Sequence, residues 1–178
     1  MTTIQTMLGR LNMEAAKPAE LDAVIQIIDE AAAWLHSKGI TRQWPSPTPK
    51  EFRERMEREI AKREVYLAYI ENVDEAVGTL RFEWSDMELW QCDPEGGGYI
   101  HSFATRNCVR GRDIGAAMLA WAREHVRARG KPYLRLDCWG GNRALCQYYK
   151  RIGFTFCGFV REENWVDAIF QMEAQKLT

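Results

Sequence analysis

Paired cysteines, long apolar runs and an excess of either charge are all missing from this chain, and each gap closes off a class of protein. The cysteines, Cys92, Cys108, Cys138, Cys146 and Cys157, are odd in number and hold no C-x-x-C pair. Neither a disulfide framework nor a metal site is therefore expected, and a reducing, cytoplasmic compartment is the natural one. No apolar stretch approaches the roughly 20 residues that span a bilayer. The N-terminus also lacks the basic-then-apolar order of an export signal, so no membrane partner is expected. With 24 Lys and Arg against 25 Asp and Glu, there is no basic surplus to neutralise phosphates, so nucleic acid is not an expected partner either. Repeats and low-complexity tracts are absent too.

What remains is 178 residues, 46% of them apolar, which is enough for a single domain over residues 1–178 with its own core. Residues 1–9 carry little pattern and read as a loose tail. Leu11, Met13 and Ala15 alternate with Arg10, Asn12 and Glu14, which predicts a first strand. Pro18 suits the first turn of a helix whose stripe Leu21, Val24, Ile25, Ile28, Ala32 and Leu35 ends near Gly39. Thr48-Pro49-Lys50-Glu51 has the form of a capping box and opens a second helix to about Lys62. Its thin apolar line of Phe52, Met56 and Ile60, under a cover that includes Glu57 and Glu59, predicts a place on the rim. Val65–Ile70 is nearly continuous apolar sequence, as in a strand covered on both faces, and residues 77–84 read as its antiparallel partner. Residues 85–98 are a polar excursion.

The chain then concentrates its signals. Residues 99–105 read as a strand, and from Ile114 the apolar positions Ile114, Met118, Trp121 and Ala122 fall on one helical face up to the stop at Gly130 and Pro132. Between them the turn 108–116 presents backbone N–H groups and the positive end of a helix to something negative. Residues 132–138 form a further strand with Leu134, Leu136 and Cys138 on one face, so that strand, helix and strand make a right-handed unit with parallel strands. Gly140-Gly141-Asn142 opens a short helix bearing Leu145, Tyr148, Tyr149 and Ile152. Two last strands, 154–160 and 166–173, are linked by a charged turn at 161–164. The apolar run Ala168 to Met172 would pair with a second copy, as a homodimer, if it formed a sheet edge.

The spacing Arg110-x-x-Asp113-x-Gly115-Ala116 resembles the pyrophosphate-binding signature Gln/Arg-x-x-Gly-x-Gly/Ala of the GNAT superfamily of N-acetyltransferases. Residues 134–154 resemble that family's second signature: a strand, Asn142 opening a helix, Tyr149, a short basic stretch and Gly153-Phe154. Two signatures in the right order are far harder to obtain by chance than a lone glycine-rich turn. The resemblance implies an α/β fold with a mixed, mainly antiparallel sheet of six to seven strands. Its central parallel pair is splayed apart, and about four helices flank it.

The resemblance also implies acetyl-CoA as co-substrate and transfer of its acetyl group to a primary amine on a small molecule or peptide. The pyrophosphate would lie on Arg110, Gly111, Arg112, Asp113, Ile114, Gly115 and Ala116. The pantetheine arm would run along Phe103, Ala104 and Thr105, with Asn142 in contact. Asp113 stands where the family has glycine; its charge opposes a pyrophosphate, yet Asp caps helices well and tolerates left-handed backbone angles. Tyr149 would lie against the cofactor near its sulfur and be the general acid. The family's usual carboxylate aligns with Tyr99, so the base is left to His101, Glu83 or water; an imidazole titrates near neutrality. Trp44, Trp84, Trp90 and Glu83 fall where the acceptor would bind, and aromatic walls with Asp86 and Glu88 nearby suit a cationic amine. Two other readings stand beside this one. One is a non-catalytic acyl-CoA sensor on the same fold. The other is a dinucleotide-dependent oxidoreductase, disfavoured because the glycine turn follows antiparallel hairpins and does not open a βαβ series.

Overall fold

In the computed structural model, residues 3–90, 96–161 and 163–175 are described. Residues 91–95 of the 85–98 excursion, residue 162 of the 161–164 turn and residues 1–2 of the tail therefore lie outside them. The described residues carry eight strands and four helices, and the sheet is mixed with one parallel pair. The chain divides into two compact units, residues 1–82 with 102–121, and residues 83–101 with 122–178.

In the first unit the alternating strand is β2 (Gly9–Ala15), with Leu11 and Met13 turned inward. The expected loose tail contains a short strand, β1 (Ile4–Thr6), paired antiparallel to β2 from Ile4↔Leu11 to Thr6↔Gly9. This accounts for an eighth strand beyond the six or seven expected. A Thr6 hydroxyl that donates to the Gly9 carbonyl at 2.6 Å closes the hairpin. The strand β3 (Val65–Ile70) pairs with β2 on one side and β4 (Gly78–Glu83) on the other, so both its faces and edges are covered.

The first helix, α1 (Leu21–Ser37), follows a single 3-10 turn at Pro18–Glu20, where the Lys17 N–H donates to the Glu20 carboxylate at 2.7 Å. The second, α2 (Lys50–Ala61), starts one residue later than its capping-box pattern predicts, with Pro49 in the cap position. The Thr48 N–H donates to the Asp29 carboxylate at 2.9 Å, which ties Thr48 to α1 and takes the N–H that Glu51 would accept in a capping box, while the Thr48 hydroxyl makes no hydrogen bond and does not cap. Glu59, read as part of a solvated face, is buried with Met56 and Ile60. A hydrogen bond from the Glu64 carboxyl holds Glu59 below the usual carboxylate range, and burial together with Glu59 pushes Glu64 up. Lys62, whose ammonium lies 3.3 Å from the Glu59 carboxylate, adds a positive charge beside the pair.

The strand β5 (Gly97–Thr105) and the helix α3 (Ile114–Ala128) each contribute residues to both units. In the second unit, β6 (Tyr133–Trp139) runs parallel to the start of β5, in register from Gly97↔Tyr133 to Ile100↔Leu136. The helix α4 (Arg143–Arg151) leads to β7 (Thr155–Arg161) and β8 (Val166–Glu173). The last strand β8 lies between β6 and β7, antiparallel to both. It is therefore not the exposed edge on which a strand-to-strand homodimer would depend.

Gly78 marks a close approach of β4: a Cβ there would stand 2.6 Å from the Met118 sulfur and 3.1 Å from the Ala104 carbonyl oxygen. Overpacking of a filled site typically costs about 1–3 kcal/mol. Gly78→Ala is expected to lower the urea midpoint of unfolding accordingly, and an unchanged midpoint would mean that β4 and α3 are not in this contact.

Candidate functional site

The turn between β5 and α3 is built from backbone conformations that most side chains avoid. Gly111 has φ 74 and Asp113 has φ 57, both in the left-handed region that glycine and, less readily, Asp can adopt. The Asp113 carbonyl accepts the first helical bond from the Ala117 N–H at 3.0 Å. The N–H groups of the first helical turn have no partner within the helix, so Ile114, Gly115 and Ala116 leave theirs at its positive end. Two other N–H groups of the expected phosphate hook are occupied: Arg110 donates to the Asn107 carbonyl at 3.1 Å and Arg112 to the Val109 carbonyl at 3.2 Å. Gly111, Arg112 and Asp113 are exposed.

Helix α1 anchors this turn through two residues that sequence reasoning missed. Glu30 accepts from the Asn107 N–H at 2.8 Å and pairs with Arg106 at 3.4 Å. Four residues on, the Trp34 ring lies 3.6 Å from the Arg110 guanidinium carbon. Residues four apart share one helical face, which is the only trace this anchor leaves in the sequence. Arg110 also donates to the Asn107 side chain at 2.9 Å. Upstream in β5, Ala104 is buried and Phe103 and Thr105 are half-buried. Ser102 takes φ 49, uncommon without glycine. Trp44 packs partly buried against the core of the first unit, its carbonyl 2.8 Å from the His36 Nε2.

In the second unit, β5 and β6 place polar residues on one face in two successive rungs. Tyr99 and Arg135 are directly paired, and Arg135 donates to the Tyr99 hydroxyl at 3.0 Å. The Arg135 guanidinium also stacks on Trp90 at 4.4 Å and Tyr133 at 5.0 Å. One rung further, His101 stands among three carboxylates: its Nδ1 is 3.5 Å from Asp137, and its Nε2 is 3.3 Å from Glu83 and 3.7 Å from Asp86. Thus two base candidates, His101 and Glu83, are brought together, with Asp86 and Asp137 added. Asp137 was legible only as the alternation of Arg135 and Asp137 against Leu134, Leu136 and Cys138. Trp84 meets the His125 ring at 5.6 Å between centroids, and the Arg129 guanidinium carbon lies 4.3 Å from its ring centroid.

Asn142 caps α4, its side chain accepting from the Leu145 N–H at 3.1 Å. Tyr149, on the same helix, is buried among Phe154, Phe170 and Tyr148, with ring centroids 5.8, 5.5 and 5.7 Å away. Burial, and then the neighbouring Cys138 and Asp137, push its phenol well above the ordinary tyrosine value. The phenol is thereby kept in its neutral form.

A family model described as "Acetyltransferase (GNAT) family" matches residues 27–154. The chain belongs to the GNAT family. Among GNAT relatives, the protein named "Uncharacterized N-acetyltransferase YesJ" of Bacillus subtilis is 28% identical over 143 residues, covering 78% of each chain. The crystal structure of a GNAT acetyltransferase from Listeria monocytogenes has a TM-score of 0.77 at 22% identity, covering 97% of this chain and 99% of that one. The PaiA N-acetyltransferase of Thermoplasma acidophilum, solved in complex with coenzyme A, has a TM-score of 0.67 at 14% identity, covering 92% and 98%. These two structures share the GNAT fold.

A tyrosine whose phenol is raised in the native state contributes stability that is complete below the unfolded-state value near pH 10 and is lost as pH rises above it. In urea unfolding, the wild-type chain should lose more stability between pH 8 and pH 11 than Tyr149→Phe does. Equal losses would show that Tyr149 ionises as freely folded as unfolded.

Proposed function

We propose that this chain is an N-acetyltransferase that moves an acetyl group from acetyl-CoA to a primary amine by direct attack. The reading is carried by one observation, the open first turn of α3 behind left-handed Gly111 and Asp113. Peptide N–H groups and a helix N-terminus there fit a pyrophosphate. Gly111, Asp113, Ile114, Gly115 and Ala116 hold it through N–H groups, while Arg110 and Arg112 shape the turn, their own N–H groups being bound to carbonyls. Phe103, Ala104 and Thr105 contact the pantetheine arm. The pairing of β5 and β6 in register up to Ile100↔Leu136, with Ser102 at φ 49 just beyond, supports strands that part at this point. The coenzyme A complex of the PaiA relative supports the choice of carrier.

The acceptor arrives as an ammonium and loses one proton to His101, which passes it to solvent. The freed nitrogen lone pair attacks the thioester carbonyl carbon. As the C–S bond breaks, its electron pair leaves on sulfur and takes the Tyr149 proton, while the new amide nitrogen releases a second proton that returns to the tyrosine oxygen through water. Asn142 holds the first turn of α4 and contacts the arm. Glu83, beside His101, supplies a negative charge for a cationic acceptor, and Trp84 is its candidate aromatic contact.

Thiol release from acetyl-CoA, followed with spermidine, lysine and a serine-initiated peptide, tests the reading. Amine-dependent release is expected with at least one of them. General acids contribute about 10²- to 10⁴-fold, so Tyr149→Phe should lose about a hundredfold in kcat while binding coenzyme A normally. Normal binding with no amine-dependent release would favour the sensor reading, and an unchanged rate in Tyr149→Phe would remove the acid role.

A further inference from the structure

We propose that Cys138 and Cys146 are a modification site, a thiol pair that a hydroperoxide closes into a reversible disulfide tying the helix of Tyr149 to β6. The pairing rests on geometry alone, and only its effect on activity rests on the transferase reading. Cys138 follows Leu134 and Leu136 on one face of β6 and is buried with them. Cys146 is half-buried in the first turn of α4. Between them the chain makes one tight turn, in which the Asn142 N–H donates to the Trp139 carbonyl at 2.9 Å and the Cys146 N–H to the Asn142 carbonyl at 3.0 Å. That turn folds the start of α4 back onto the end of β6, and the two Sγ atoms meet at 3.7 Å. Both are free thiols, whereas the other two described cysteines, Cys108 and Cys157, are exposed. An odd cysteine count without C-x-x-C hides this pair in the sequence, because it exists only once α4 has folded onto β6.

Thiols packed in this way lack only an oxidant, and hydrogen peroxide is small enough to reach the half-buried one. The Cys146 sulfur attacks a peroxide oxygen, the O–O bond breaks, and the departing hydroxide takes the thiol proton and leaves as water. A sulfenic acid remains on Cys146. The Cys138 sulfur then attacks the Cys146 sulfur, the S–O bond breaks, and a second water leaves with the Cys138 proton. Two thiols are oxidised and one peroxide is reduced to two waters. Burial, and then the neighbouring Cys146, push the Cys138 thiol up, so Cys138 stays protonated and enters second, where contact with its partner replaces diffusion. Bonded sulfurs stand about 2.05 Å apart, so closure draws the start of α4 and β6 together. Cys146 comes four residues after Asn142 and three before Tyr149, the spacing of one helical face, so the displacement falls on the segment that holds both. At a reacting group a shift of about 1 Å costs on the order of a hundredfold in rate.

Trypsin cuts between the two cysteines, after Arg143, so mass spectrometry reads the bond directly. The reduced, folded full chain is treated with a small excess of hydrogen peroxide, its remaining thiols are blocked with N-ethylmaleimide, and it is digested. Peptide 136–143 should appear joined to peptide 144–150, and dithiothreitol should separate them. Cys138→Ala should stop at the sulfenic acid of Cys146, trapped by dimedone, and Cys146→Ser should give no joined pair. In thiol release with whichever of spermidine, lysine or the serine peptide is turned over, the oxidised and desalted wild type should lose about tenfold or more in kcat. It should still bind coenzyme A and recover after dithiothreitol and desalting, while Cys146→Ser should keep its rate through the same treatment. Absence of the joined peptides, or their joining no more often than other cysteine pairs, would overturn the proposal whether or not any amine is acetylated. Joined peptides with kcat unchanged would overturn the tie to Tyr149. Joined peptides in a chain that acetylates none of the amines when reduced would leave the disulfide standing and count against the transferase reading alone.

Discussion

A helix cannot satisfy the N–H groups of its own first turn, and the region that begins α3 depends on what is done with them. At most helix starts a side chain folds back to cap one of these groups. Here the chain arrives through Gly111 and Asp113, both left-handed, and the N–H groups of Ile114, Gly115 and Ala116 follow directly. Such an arrival needs support, because the backbone has spent its favoured angles on shape. The support comes from α1, where Glu30 holds Asn107 and Arg106, and Trp34 lies under Arg110. Two arginines of the turn thus contribute to its construction: one stacks on an indole, and both lend their N–H groups to preceding carbonyls.

A second constraint governs the other unit. Parallel pairing of β5 with β6 puts a polar row on one face, and a buried polar group must find partners or carry a penalty of a few kcal/mol. Arg135 finds the Tyr99 hydroxyl and the rings of Trp90 and Tyr133. His101 stands at ion-pair distance from carboxylates on both sides of its ring, but its buried Nε2 makes no hydrogen bond. Tyr99 is tied to Arg135, and His101 lies one rung further along the same face. Tyr149 obeys the opposite logic: enclosed by aromatic rings, it is kept neutral by the loss of water.

The parts of this structure that could be read in advance are those whose causes are local in the chain. The stripe of α1, the stop at Gly130, the Asn142 cap and the strand–helix–strand order that makes β5 and β6 parallel all depend on residues a few positions apart. The parts that could not be read depend on lateral neighbours. A three-residue strand such as β1 has too short a pattern to register, and only its partner β2 defines it. Thr48 has the chemistry of a cap, but Asp29 claims its N–H from another helix. Glu59 looks solvated until Glu64 is placed beside it. Likewise His101 was legible as a candidate, whereas Asp86 and Asp137 became its neighbours only once strand register was known. Asp113 is the intermediate case: tolerance of a left-handed angle was foreseeable, and the angle itself is observed.

The central claim is that bare peptide N–H groups at the start of α3 receive the diphosphate of coenzyme A. Backbone amide 1H–15N spectra recorded during a coenzyme A titration test it most directly. The account predicts saturable shifts at Gly111, Asp113, Ile114, Gly115 and Ala116, with smaller ones at Arg110 and Arg112, whose N–H groups already have carbonyl partners. Saturable binding that leaves those five amides unmoved, or no binding at all, would contradict it.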